Sequence, residues 1–207
     1  MIRFFDFLLS IIGLLLLAPL IFIIALAIKI NSKGSIFYKQ KRIGKGLTNF
    51  NLIKFRTMFV HSDRFGLITV GMKDPRITKI GQFLRKYKLD EIPQLFNVLK
   101  GEMSIVGPRP EVKEFVDLYS SLQKEVLKIK PGITDYASIV FSNENEILGK
   151  EENPNKYYIE HILPEKIKLN MIYITHYNLK SYFKIIILTI FKIIFPNKRI
   201  GIMEHIT

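Results

Sequence analysis

The chain contains no cysteine. Disulfide frameworks and thiolate metal sites are therefore excluded, and a cytosol-facing protein is compatible with the composition. Histidine is scarce. His61, His161, His176 and His205 are scattered without H-x-x-x-H spacing, which argues against a zinc hydrolase. Acidic residues are few: 18 Asp and Glu stand against 31 Lys and Arg, a net charge of +13. That excess favours an anionic partner, whether a phosphorylated ligand, nucleic acid or an acidic lipid surface. Nucleic acid is the weakest of these, because no aromatic-glycine RNA motif occurs and the basic residues spread along the whole chain. No internal repeat or low-complexity tract is present. The 207 residues suffice for one compact domain plus an attachment.

One long apolar run is present. Residues 7–28, FLLSIIGLLLLAPLIFIIALAI, carry no charge and a single hydroxyl. Their length matches a bilayer-crossing helix. The run is too long for a signal peptide and lacks a small-x-small cleavage site. Arg3 precedes it, while Lys29, Lys33, Lys39, Lys41 and Arg42 follow it, so the C-terminal bulk belongs in the cytoplasm. Pro19 removes one helical hydrogen bond near the middle of the run and predicts a kink. Two forms are consistent with that: a kinked spanning helix, or a re-entrant hairpin that enters and leaves on the cytoplasmic face.

The remainder, 31–207, reads as a membrane-associated domain distinct from the segment 1–30. NSKGS (31–35) marks the exit from the membrane. Alternation on either side of a Gly-Lys-Gly turn predicts a β-hairpin with strands near 36–40 and 49–55. The stretch 59–76 reads as loop. Helices are expected over about 78–88, 91–99 and 111–128 from their 3.6-residue periodicity, with SIVGPRPE between the last two as a rigid, extended loop. The region 133–155 reads as irregular, and a helix follows near 164–178. In SYFKIIILTIFKIIF (181–195), Lys184, Thr189 and Lys192 fall within one arc of a helical wheel, which suits a helix lying in the membrane interface. The expected fold is α+β and mainly helical.

The chemistry concentrates in RKYKLDEIPQLFNVLKGEMSIVGPRPE (85–111). Asp90 and Glu91 are adjacent, so on a regular helix they point about 100° apart. Pro93 is tolerated in a first turn, which places Asp90 near a helix start. There it is either a capping residue or a carboxylate kept ionised for chemistry. Arg85, Arg56 and Arg109 favour the second, since guanidinium groups on rigid backbone describe a phosphate site. A carboxylate in such a site holds Mg²⁺ or attacks phosphorus. A non-catalytic membrane adaptor would need neither the acidic pair beside Pro93 nor Arg109 locked between prolines.

KFRTM (54–58), TKIGQFLRKYKLDEIPQLFNVLKGEMSIVGPRPE (78–111) and PGIT (131–134) closely resemble the bacterial sugar transferases, the small monotopic polyprenyl-phosphate phosphoglycosyl transferases. The resemblance covers about 1–136. It implies a ping-pong reaction in which Asp90 attacks the β-phosphate of a UDP-sugar, expels UMP and carries the sugar phosphate. Undecaprenyl phosphate, a polyprenyl phosphate, then takes the sugar phosphate from the enzyme. It implies that Glu91 binds Mg²⁺ and assists the dyad, that Arg85 binds phosphate, and that Arg109 and Arg56 belong to the same site. It also implies a re-entrant N-terminal segment broken at Ala18-Pro19, attached to the cytoplasmic face of the bacterial inner membrane. The oligomeric state, a homodimer included, stays open.

Two departures from the family pattern stand out. Ala18 replaces the usual serine before Pro19. After PGIT, relatives continue with Gly and a Gln-Val-x-Gly-Arg-Asn segment, whereas this chain has Asp135 and YASIVFSNENEIL. The donor sugar therefore cannot be carried over from any one relative. Glu144, Asn145 and Glu146 read either as sugar or metal contacts or as a solvated loop.

Overall fold

The computed structural model describes residues 1–60, 62, 74–196 and 198. Most of the expected 59–76 loop, together with His61 and His205, lies outside the described residues.

The apolar run forms one helix, α1 (Ile2–Asn31), with Ala18-Pro19 inside it. Its most apolar 18-residue stretch has a mean hydropathy of 3.1, and only 11% of that stretch is buried by protein. Side chains such as Phe4, Leu15, Leu16, Phe22 and Ile23 are exposed. A face of that size and polarity needs lipid, so α1 associates the protein with a membrane.

Both ends of α1 are held by the domain that follows. Near its start, Arg3 donates to the carbonyls of Val98 (2.5 Å) and Leu99 (2.8 Å). One turn on, the buried Asp6 carboxylate accepts hydrogen bonds from Ser104 Oγ, Ile105 N and Tyr182 OH, each 2.9 Å. At its end, Ile24 and Ile28 pack with Phe55 and Leu84.

Strands β1 (Phe37–Ile43) and β2 (Asn49–Phe55) pair antiparallel, with Phe37 opposite Phe55 and Ile43 opposite Asn49. The tight connection uses left-handed Gly46 (φ 62°) and Leu47 (φ 63°). Helix α2 (Lys79–Lys86) is capped by Thr78, whose hydroxyl accepts from Gly81 N at 3.0 Å. Helix α3 (Gln94–Lys100) ends at left-handed Gly101. Asn97 sews α3 to β2: its Oδ1 accepts from Ile53 N (3.0 Å) and its Nδ2 donates to Asn51 O (2.8 Å).

The expected 91–99 helix starts later than the pattern predicts. Lys88 adopts a left-handed conformation (φ 57°), and Leu89–Glu91 form a 3₁₀ turn before Pro93 opens α3. A left-handed residue ends α2 and reverses the chain, so the acidic pair sits on a corner and not within a long helix.

The region 101–134 contains a second sheet that the sequence pattern did not announce. Strands β3 (Ser104–Val106) and β4 (Gly132–Thr134) run parallel. Gly107 N donates to Thr134 O and Gly132 N to Pro108 O, both at 3.0 Å. A Cβ on either glycine would strike the backbone of the other segment, so this close approach requires glycine.

The expected 111–128 helix is broken. Only α4 (Lys113–Val116) and a 3₁₀ stretch, Gln123–Lys128, are present. Between them Ser120 Oγ accepts from Gln123 N (3.2 Å) while Gln123 Oε1 accepts from Ser120 N (2.8 Å). This is a reciprocal capping box, and the S-x-x-Q spacing outweighed a continuous apolar period.

The 133–155 region is also more ordered than expected. Asp135 caps α5 (Tyr136–Val140), and α6 (Glu144–Leu148) and α7 (Pro154–Tyr157) follow. A π-helical turn, Tyr158–Ile162, leads into α8 (Leu163–Thr175). Helix α9 (Leu179–Ile194) buries Tyr182 and Ile185 against the core and exposes Ile187, Ile190, Ile193 and Ile194. The fold is therefore mainly helical with small sheets, as expected.

Candidate active site

One cleft of about 1870 Å³ is bounded by β1, β2, the 3₁₀ turn, the Arg109 loop, α5, α6 and the end of α9. Asp90, Glu91, Arg85 and Arg109 all line it. Both carboxylates border this space although neighbours in a 3₁₀ turn point about 120° apart.

Glu91 is the anchored member of the pair. Arg109 grips it with both guanidinium nitrogens, Nη1 reaching Oε2 at 3.2 Å and Nη2 contacting Oε1. Lys54 Nζ, from β2, donates to Oε1 at 3.2 Å. Burial pushes the Glu91 carboxyl up, but Arg109 and Lys54 outweigh it and hold the group well below the usual carboxylate range. Glu91 also drives the Arg109 guanidinium upward against its own burial.

Asp90 differs. It is 7% exposed and makes no ion pair among the described residues. Burial pushes its carboxyl above the ordinary value; Lys54 opposes this, and the neighbouring Glu91 charge adds to it. Lys54, Arg85 and Lys88 favour the ionised form of Asp90, but burial outweighs them and the carboxyl stands above its ordinary value. Lys54 and Arg109 are bonded to Glu91, and Asp90 lies in the 3₁₀ turn Leu89–Glu91 that leads into α3. What results is one carboxylate neutralised by two cations beside a second, more basic one.

All three expected arginines line the cleft. Arg85 Nε donates to Thr57 Oγ1 at 2.9 Å. Arg109 is set by its loop: its backbone N donates to Asp135 Oδ2 at 3.0 Å, and Arg42 Nη1 donates to Pro110 O at 3.1 Å. The Arg56 guanidinium donates to Lys33 O (2.5 Å), Ser32 O (2.8 Å) and Ser32 Oγ (2.9 Å), at the end of α1. A cation on carbonyls at a helix C-terminus is a favourable cap, so Arg56 also braces the end of α1.

Several contributors were not singled out from sequence. Lys54 lies within KFRTM, near the end of β2, and its ammonium reaches Glu91. Glu111 ends the PRPE run. Its Oε1 accepts from Tyr158 OH (2.5 Å) and Lys166 Nζ (3.5 Å), and Arg42 lies 3.5 Å from Oε2. Nothing local in the sequence links 42, 111, 158 and 166.

Metal binding at Asp90 and Glu91 has a narrow form. Among the described residues no group of three or more His, Cys, Asp or Glu could hold an ion. Two carboxylates, one already engaged by cations, fit Mg²⁺ only where substrate phosphate oxygens complete its shell, which is the common arrangement for that ion.

The geometry therefore combines a basic carboxylate, a clamped one, phosphate-capable arginines and a lipid-seeking helix. Comparison with known proteins points the same way. The family profile described as "Bacterial sugar transferase" matches residues 1–196. The UDP-glucose:undecaprenyl-phosphate glucose-1-phosphate transferase of Klebsiella pneumoniae is 37% identical over 194 residues, 92% of this chain and 39% of that protein. The undecaprenyl-phosphate glucose phosphotransferase of Komagataeibacter xylinus is 38% identical over 93% of this chain and 36% of its own length. The putative undecaprenyl-phosphate N-acetylgalactosaminyl 1-phosphate transferase of Bacillus subtilis is 40% identical over 64% of this chain and 70% of that protein. The chain thus spans less than two fifths of the first two relatives. With the match running from the membrane helix through the Asp90–Glu91 corner to the end of α9, this chain belongs to the bacterial sugar transferase family.

Proposed function

We propose that the protein transfers a sugar-1-phosphate from a UDP-sugar to undecaprenyl phosphate and so starts a cell-surface glycan or a glycoprotein glycan. The observation that carries this reading is the division within the acidic pair. Asp90, buried, raised and without an ion pair, is the better nucleophile of the two. Glu91, fixed by Arg109 and Lys54, keeps those cations in place next to it.

In the first step an Asp90 oxygen bonds to the β-phosphorus and the bond to the bridging oxygen breaks. UMP leaves with that electron pair, and the sugar phosphate remains on Asp90 as an acyl phosphate. In the second step an oxygen of the lipid phosphate bonds to the same phosphorus, and the Asp90 carboxylate departs. Arg85 and Arg109 offer their guanidinium groups to the charge on the phosphoryl oxygens. Mg²⁺ would be held by Asp90 and Glu91 together with donor phosphate oxygens, and when bound it offsets the charge of the diphosphate.

The second substrate is a lipid, so the cleft belongs at a membrane surface. We place residues 1–30 in the inner membrane as a re-entrant segment and 31–207 on its cytoplasmic face. Supporting this, Arg3 and Asp6 near the start of α1 bond to the domain, and Arg56 of the domain donates to Ser32 O and Lys33 O just past the end of α1.

The test is UMP release from a panel of UDP-sugars with Mg²⁺ and undecaprenyl phosphate, alongside intact-protein mass spectrometry after donor alone. A covalent sugar-phosphate adduct is expected on the wild type and none on Asp90→Asn, which should release no UMP. Normal turnover by Asp90→Asn would eliminate the nucleophile assignment.

A further inference from the structure

The cleft has two chemically different ends. One carries Arg85, Lys88 and the Arg109–Glu91 clamp. Beyond Arg109 the wall is built by Ser138 of α5 and by Ser142, Asn143, Glu144 and Asn145 around the start of α6. This is the stretch in which the sequence leaves the family pattern.

Glu144 is not a loosely solvated side chain. Its Oε2 accepts from Lys166 Nζ at 3.1 Å, and its side chain is 28% exposed. Lys166 is itself buried and also contacts Glu111 Oε1 at 3.5 Å and Tyr158 OH at 3.2 Å. Glu111 directly follows Pro110, so the same lysine ties Glu144 to the loop that carries Arg109. Leu148, 1% exposed, roots α6 in the core. The Glu144 charge is felt at Arg109. On the neighbouring wall, Ser138 Oγ is buried and has no protein partner.

Resting on the proposed transfer reaction, we infer that Glu144 is a specificity-determining residue: its carboxylate accepts a hydrogen bond from a hydroxyl or amide N–H of the donor sugar, and selects neutral sugars over uronic acids. The sugar stays one phosphate away from Asp90 through both steps, so it must occupy the cleft beside the Arg109 clamp. A fixed carboxylate there forms a charge-assisted hydrogen bond with a sugar O–H or N–H. A second carboxylate, at C6 of a uronosyl donor, would face Glu144 directly. Lys166 cannot neutralise it, because that cation is already shared by Glu111 and Glu144. Like charges so placed discriminate strongly.

The experiment compares kcat/KM for UMP release from UDP-glucose, UDP-N-acetylgalactosamine and UDP-glucuronate, in the wild type, Glu144→Gln and Glu144→Asp. The wild type should prefer its better neutral donor over UDP-glucuronate by at least ~100-fold. Glu144→Gln should lower that ratio by at least ~10-fold. Glu144→Asp keeps the charge and should keep the exclusion. A Glu144 that only supports the fold would depress all donors in proportion, and an unchanged ratio overturns the inference. Equal use of UDP-glucuronate by the wild type overturns it as well. If no donor releases UMP, the proposed reaction fails, and binding decides the inference separately through thermal shifts of Asp90→Asn with the same three donors. Stabilisation by neutral donors alone supports it; equal stabilisation by UDP-glucuronate, or none by any donor, overturns it.

Discussion

At the scale of single residues, the acidic pair shows why composition and spacing stop short of mechanism. Asp90 and Glu91 are neighbours in sequence but not in environment. Lys54 and Arg109 arrive from β2 and from the PRP loop, 37 and 18 residues away, and both choose Glu91. The geometry is bidentate, and Lys cannot reproduce it. Arg109→Lys should therefore lower kcat/KM for UMP release by roughly 100-fold, about 2–3 kcal/mol of transition-state stabilisation. Steady-state kinetics with the preferred donor checks this, and activity within twofold of wild type would refute the clamp.

Glu111 gives a second residue-scale prediction, this one in pH. Burial raises its carboxyl, but Lys166 and Arg42 outweigh burial and hold it below the ordinary value. The folded state therefore binds that proton less readily than the unfolded chain. The stabilisation is fully present above the ordinary carboxylate range and is lost as pH falls through the lowered folded value. Thermal unfolding of wild type and Glu111→Gln should differ most near neutral pH, with the gap closing on acidification below about pH 5. A gap independent of pH would contradict it.

At the scale of elements, the acidic corner depends on how α2 meets β2. Gly81 lies over Thr57, and a Cβ there would drive into the Thr57 carbonyl. Thr57 in turn accepts the Thr78 backbone N–H (2.9 Å) and, through its hydroxyl, Arg85 Nε. Gly81→Ala should cost about 1–3 kcal/mol by overpacking and should also weaken donor binding through Arg85. Calorimetry together with the donor KM tests both effects. Elements with strong local signals were legible: the β1–β2 hairpin, α2, α8 and α9 all appear near their expected limits. The β3–β4 pair was not, because three-residue strands 28 residues apart in register carry no periodicity to read. The continuous apolar spacing of 111–128 points to one long helix, but the Ser120–Gln123 box interrupts it.

At the scale of the whole molecule, α1 is both membrane anchor and part of the core. Ile2, Phe5 and Leu9 pack with Tyr173, Tyr182 and Ile185, and Ile24 and Ile28 with Leu84. A helix latched at both ends should leave both ends on one face of the bilayer. Cysteines introduced at residues 3 and 33 are each expected to react with an impermeant thiol reagent from the cytoplasmic side; labelling of residue 3 from the periplasmic side would mean a true span. The exposed isoleucines of α9 extend the apolar surface from the far end of the chain, with Thr189 bonded to Thr134 at 2.7 Å where α9 meets the sheet beside the cleft.

The sequence by itself determined the classes of chemistry: no thiolate site, a basic surface, a lipid-seeking helix, a proline-bounded arginine and an acidic pair. Each follows from residue type and local spacing, which a single chain displays directly. Only the tertiary structure decided what each charge does. It bonded Arg56 to the end of α1, gave Lys54 and Arg109 to Glu91, left Asp90 the more basic carboxylate, and fixed Glu144 through Lys166. Those outcomes depend on burial and on distances between segments far apart in the chain, and Coulomb energies follow distance and dielectric, not sequence order.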